Sequence, residues 1–412
     1  MKYVLGAQCV KCGREYDAVP DLTTCSCGGI LDIVYDYAAI RRDVSPRDLE
    51  DCRDYSMWRY RPFLPVEADS APTPLRVGWS PLYPAPRLAR ALGLKALYLK
   101  DDGQNPTASL KDRASALAVV KAREAGADTI ACSSTGNAAS SLAGNAATGG
   151  LSTYIFVPSR APKGKVAQLR IFGSTVISVD GSYEDTFALS KAAIDRWGWY
   201  NRNAAVNPYL SEGKKTVTLE ILEQLGWRTP DYIALSVGDG CTIAGAWKGL
   251  KDLYAAGFIE RLPRLISVQA QGCCPLNRAI QTGTPWTPMA ENTLADSIAV
   301  GVPRNPDKAL NAIRESDGIA VNVSDDEILA AMRLLGRTQG VFGEPAGVTG
   351  TAGVKKALEL GLISPDSTVV SIVTGNGLKD VQNGIRAAGE PMLVRPELDA
   401  LLDAFASHGI AP

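Results

Sequence analysis

From about residue 75 the chain alternates between two hydrophobic rhythms. Short unbroken apolar runs at 96–99, 129–132, 153–157, 175–179, 232–237, 265–268 and 368–373 predict strands buried on both faces. Between them, apolar positions recur at helical spacing, as at 214–225 and 328–335, with Ser324 and Glu327 spaced as a capping box before the second. Strand and helix in repeated alternation predict open, mostly parallel sheets covered by helices, the doubly wound α/β class. Residues 1–36 have a different texture: aromatic and β-branched residues between turns, closing on Cys27-Gly28-Gly29 and a strand-like stretch at 30–35. A basic, proline-containing connector follows at 54–65.

Composition removes whole classes of function. With 412 residues the chain suits two or three domains, and a net charge of -1 gives no surplus for nucleic acid or an anionic membrane. No apolar run approaches a membrane span and no leader pattern opens the chain, so it reads as cytoplasmic. The single histidine, His408, lies beyond the last patterned segment, which argues strongly against a Ser-His-Asp triad, a Cys-His dyad and a His-ligated catalytic metal. Proton transfer falls to Lys, Tyr, a carboxylate or a cofactor. Nine cysteines, an odd number, argue for reduced thiols. Cys9, Cys12, Cys25 and Cys27 resemble a zinc ribbon, with C-x-C where a second C-x-x-C is usual. A structural zinc and four reduced thiols both remain open. A catalytic zinc does not fit, because all four positions would be protein ligands.

In open α/β sheets, ligands sit where strands turn into helices. Four such turns carry polar chemistry. In Asn105-Pro106-Thr107-Ala108-Ser109-Leu110-Lys111, Ser109 is a candidate N-cap and Lys111 falls in the first helical turn, where burial and the helix N-terminus depress an amine's pKa. Alone, such a lysine is an ordinary surface residue. Ser133-Ser134-Thr135-Gly136-Asn137 opens an Ala-rich helix and suits a carboxylate, or is simply a good cap. Gly238-Asp239-Gly240-Cys241-Thr242 lets backbone approach a phosphate. The spacing does not match a dinucleotide fingerprint, so it reads as a single-phosphate cup. The fourth turn is Thr374-Gly375-Asn376-Gly377.

In this order the four turns resemble those of a fold-type-II pyridoxal-phosphate enzyme, and within that superfamily the threonine synthases. The resemblance spans nearly the whole chain: the CGG-IL-DI-VYDY start, NPTASLKDR, SSTGN, the 207–216 segment, the glycine cup and TGNGLKD. It implies two open-sheet domains, 37–124 plus 213–412 and an inserted 125–212, after a ribbon-like module at 1–36. It implies pyridoxal 5′-phosphate as cofactor and an amino-acid substrate, in a homodimer. By position, Lys111 would form the Schiff base and act as general base, and Asn137 would bond the pyridoxal 3′-hydroxyl. Gly238, Asp239, Gly240, Cys241 and Thr242 would cup the phosphate, and Thr374 would face the pyridine nitrogen. Ser133, Ser134, Thr135 and Gly136 would hold the substrate carboxylate.

The implied reaction is O-phospho-L-homoserine and water giving L-threonine and phosphate. One departure bears on it: Leu210 stands where the family commonly has Arg, with Lys214 in place of Gln. A phosphate leaving group calls for charge-assisted donors. Lys165, Arg160 and Arg304 are candidate replacements. The alternatives are β-replacement or β-elimination on phosphoserine, serine or threonine, or an inactive binding paralogue.

Overall fold

The computed structural model describes residues 1–161 and 163–410. Its larger sheet has six strands in the order Ile319–Val323, Arg264–Ala270, Tyr232–Ser236, Thr368–Val373, Ala96–Asp101 and Leu82–Pro84, all parallel except the last. The smaller has four parallel strands: Thr175–Val179, Ser152–Pro158, Thr129–Ser133 and Tyr200–Asn201. In chain order, the smaller sheet falls between Ala96–Asp101 and Tyr232–Ser236 of the larger.

The unbroken apolar runs follow from burial on both faces. In Tyr232–Ser236, Ile233 and Leu235 join one apolar cluster, while Tyr232 and Ala234 join the cluster on the opposite face. All seven expected strands form. The expectation missed Leu82–Pro84 and Tyr200–Asn201, which are too short to show a period. It also missed Ile319–Val323, an edge strand whose burial alternates.

Helix Lys111–Glu124 has two buried faces, which explains its small side chains. Leu117 and Val120 enter the core of the larger sheet, and Ala114, Ala118 and Ala122, four apart, enter that of the smaller. Helix Tyr209–Gln224 crosses it at Gly213, where a Cβ would stand 2.3 Å from the Arg113 carbonyl oxygen. Only glycine permits that approach. This helix begins five residues before the expected 214, with Pro208 already at helical dihedrals.

One local expectation needs correction. Ser109 does not cap helix Lys111–Glu124: its hydroxyl is buried without a partner, and Asp112 instead accepts from the Thr107 N–H and hydroxyl, both at 2.8 Å. The N-terminal module, an antiparallel sheet of Glu15–Tyr16, Val4–Cys9 and Leu31–Tyr35, has no separate core. Its Leu31, Ile33 and Tyr35 belong to the cluster that contains Ile243 and Leu250. The capping box of Ser324 and Glu327 forms as expected.

Candidate active site

Strand ends and helix starts from both sheets converge on one cleft, a usual place for a small-ligand site. Lys111, Asn137, Ser236 to Thr242, Glu344 and Thr374 line it. Lys111 is the first residue of its helix. The loop before it is strapped to the Thr374 loop: the Leu110 N–H donates to the Thr374 carbonyl at 2.9 Å and the Asn376 N–H to the Ala108 carbonyl at 3.0 Å. Burial lowers the Lys111 pKa, while Cys241 and Asp239 pull it upward more weakly. Lowering frees the amine to act as nucleophile and base nearer neutral pH.

The glycine cup opens helix Cys241–Ala255. Gly240 has φ +83°, and a Cβ there would lie 2.5 Å from the Asn305 carbonyl oxygen. No side chain caps the helix, so its first N–H groups remain available to an anion. Asp239 is anchored by the neighbouring segment: its carboxylate accepts from the Arg304 N–H at 3.2 Å and its carbonyl from the Asn305 N–H at 2.9 Å. Burial raises the Cys241 pKa, which keeps a neutral thiol beside the cup.

Within the same lining, Asn137 Nδ2 donates to Glu344 Oε1 at 2.6 Å. Burial pushes the Glu344 pKa up, and the bond from Asn137 opposes that shift. Ser133, Ser134, Thr135 and Gly136 are not part of this lining. The Ser133 N–H is taken by Asn203 Oδ1 at 2.9 Å, the Ser134 N–H by the Phe156 carbonyl at 3.2 Å, and the Gly136 N–H by Ser134 Oγ at 3.2 Å. Thr135 lines a groove that adjoins the cleft at Asp239. Lys165 lines a neighbouring groove, where its amine pairs with Asp296 at 2.6 Å. Arg160 and Arg304 line the adjoining groove with Glu184 and Glu291. Leu210 is packed in the smaller sheet's core.

The sequence reading missed Arg202 and Glu344 as cleft residues and left Lys214 undecided. Arg202 follows the unforeseen strand Tyr200–Asn201, and Glu344 precedes helix Pro345–Glu359. All three line the cleft.

A family model described as pyridoxal-phosphate dependent enzyme matches residues 74–375. The chain belongs to that family. It is 41% identical over 402 residues to a threonine synthase of Methanosarcina acetivorans, across 97% of this chain and 98% of that one. A threonine synthase of Methanocaldococcus jannaschii is 39% identical, across 96% and 98%. These matches put the chain in the threonine synthase branch. Diaminopropionate ammonia lyase from Escherichia coli superposes with TM-score 0.66 at 19% identity, across 83% of this chain and 92% of that one. Serine racemase from Dictyostelium discoideum gives 0.63 at 22%, across 81% and 98%. These two share the fold.

The residues present fit pyridoxal phosphate. The capless helix behind Gly240 suits its phosphate, and Lys111 at the strand-to-helix turn suits its aldehyde. Lys214, from the neighbouring helix, is buried in the same cleft, and burial brings its pKa down to about 8. Below that pH the protonated amine attracts the phosphate; above it the attraction fades. Cofactor affinity, followed by fluorescence titration of the apoprotein, should therefore fall as pH rises through about 8. In Lys214→Met it should be weaker and flat over the same span. An unchanged pH profile in the variant would remove Lys214 from phosphate binding.

Proposed function

We propose that the protein converts O-phospho-L-homoserine and water to L-threonine and phosphate. The observation that carries this reading is the near-full-length likeness to threonine synthases. The cleft's unpaired lysine and capless helix start agree with it. When bound, pyridoxal phosphate supplies an electron sink for negative charge at the substrate's Cα. Lys111 Nζ holds the cofactor, then removes a proton from Cα and next from Cβ. The C–O bond at Cγ breaks and phosphate leaves. Water adds at Cβ, and Lys111 delivers protons back to carbon. Asn137, held by Glu344, presents its amide to the 3′-hydroxyl. Thr374 offers the pyridine nitrogen a neutral hydroxyl, which favours elimination and replacement over transamination. Gly238 to Thr242 cup the cofactor's phosphate, and residues 133–136, in the proposed inserted domain 125–212, hold the substrate carboxylate through their hydroxyls and the Thr135 N–H. Lys165, which pairs with Asp296 in a neighbouring groove, is a further candidate for binding the substrate.

The holoenzyme should release phosphate from O-phosphohomoserine and form threonine. Lys111→Ala should lose turnover by about 10²–10⁴-fold or more, with a cofactor absorbance that borohydride no longer fixes to protein. Turnover of O-phosphoserine alone, with or without sulfite, would overturn the assignment.

We further propose a structural zinc on Cys9, Cys12, Cys25 and Cys27. Their sulfur atoms all lie within 4.8 Å of one another. The edges Cys9–Cys27, Cys12–Cys25 and Cys12–Cys27 are 3.7, 3.6 and 3.5 Å. A tetrahedron with Zn–S bonds of about 2.3 Å has edges of about 3.8 Å. The C-x-C half reaches this geometry with the Cys27 N–H directed at Cys25 Sγ, 3.5 Å away. Elemental analysis of protein purified without chelator should give one zinc per chain. Chelation should lower the melting temperature and leave the chemical step unchanged; absence of zinc would reject the site.

We also propose a homodimer, in the cytoplasm, where nine free cysteines stay reduced. Leu393, Leu398 and Leu402 are exposed along the C-terminal segment, and helix Leu398–Ser407 buries none of its residues. Light scattering should give twice the chain mass; a monomer at micromolar concentration would refute the dimer.

A further inference from the structure

Among the described residues, seven of the nine buried lysines and arginines pair with a carboxylate. The exceptions are Arg202 and Lys214, and both line the cleft. A buried lysine can shed its proton, but a guanidinium keeps its charge; Asp112 attracts Arg202 without pairing with it, so the fork still lacks a bonded anion. Only 2% exposed, it donates from Nε and Nη2 to the hydroxyl of Ser115, at 3.2 and 3.1 Å. Nη1 has no partner among the described residues. The Ser115 hydroxyl is neutral and is also bonded to Ser141 Oγ at 2.7 Å.

The two cations come from different walls. Lys214 stands beside the cup helix: a Cβ on Gly245 would meet the Lys214 Cβ at 3.0 Å. Arg202 comes from the smaller sheet, where its N–H donates to the Ala131 carbonyl at 3.0 Å and continues the pairing of Tyr200–Asn201 with Thr129–Ser133. A planar fork with free N–H groups matches a phosphate. Both the cofactor and the proposed substrate carry one, and the cup with Lys214 already serves the first.

We propose that Arg202 binds the phosphate of the substrate, the group that leaves during turnover, and so sets specificity for a phosphorylated amino acid. This rests on the reaction proposed above only for the substrate's identity; the anion site stands apart from it.

The test uses holoenzyme, whose cup is filled, with inorganic phosphate as probe. Phosphate should raise the melting temperature of the wild type and not that of Arg202→Met. Without phosphate, the Met variant should melt no lower than the wild type, since an uncompensated buried charge is gone. Cofactor content per chain should be unchanged. The KM for O-phosphohomoserine should rise about 10- to 100-fold, with a smaller change in kcat and partial recovery in Arg202→Lys. Equal phosphate stabilisation of wild type and Met variant would overturn the inference, as would a wild type that ignores phosphate. Loss of cofactor in the Met variant, with the phosphate response kept, would assign Arg202 to the cup instead and equally overturn it. Arg202-dependent phosphate binding in a protein that leaves O-phosphohomoserine untouched would sustain the anion site and sink the reaction.

Discussion

Arg113 donates from Nε and Nη2 to Asp102, at 2.7 and 2.8 Å, and from Nη1 and Nη2 to Glu220, with all three side chains out of contact with solvent. Lys100 adds a second cation to Glu220 at 2.7 Å. Burial works against the Glu220 charge, yet Arg113 and Lys100 together bring its pKa down to about 2. The cluster joins the end of strand Ala96–Asp101, the start of helix Lys111–Glu124 and the middle of helix Tyr209–Gln224. Lys111 is two residues from Arg113, and Lys214 lies on the same helix as Glu220. The position of the cleft's amines is thus fixed by an ion cluster that never meets the ligand. Removing one member would leave uncompensated charge in the interior, at a cost of about 3–5 kcal/mol.

A second buried network ties the N-terminal module to the same helix. The Tyr35 hydroxyl donates to Glu212 at 2.6 Å; Lys215 bridges Glu212 and Asp252, each at 2.5 Å; and Lys248 also meets Asp252. Lys308 reaches back to Asp32 and to the Leu31 carbonyl. The cysteine cluster is therefore continuous with the catalytic scaffold through strand Leu31–Tyr35, and stiffening that strand supports helix Tyr209–Gln224. Polar networks of this kind specify one arrangement, because a shifted strand would strand charges in the core.

The strands were legible because burial on both faces writes itself as an unbroken apolar run, and the glycine cup because only glycine tolerates its dihedral and its close neighbour. Lys111, Asn137 and Thr374 were found through the order of four turns rather than through any one of them. What stayed hidden depended on long-range contact. Ser109 has the right type and place for a cap, but Asp112 outcompetes it for the Thr107 donors. Lys165 pairs with Asp296, far along the chain, a contact that no local pattern announces. Arg202 follows a strand too short to show a period, and nothing nearby in sequence reveals that its guanidinium lacks a carboxylate. The connector at 54–65 reads in sequence only as basic and proline-containing, and nothing local shows that Arg59 within it is buried against Glu223 at 2.5 Å.

Adjacent residues make the same point about charge. Lys214 and Lys215 are indistinguishable by composition, yet one residue of helix rotates a side chain by about 100°. Lys215 turns toward Glu212 and Asp252 and is part of the frame; Lys214 turns into the cleft, unpaired. Lys111 and Arg113 divide in the same way on the neighbouring helix. Interior cations of this fold fall into two populations. Those with carboxylates fix geometry, and those without wait for negative charge from outside. Among the described residues, the two buried cations without a carboxylate, Arg202 and Lys214, both line the cleft, so the scaffold's own charge balance marks where an anionic ligand belongs, independently of any motif.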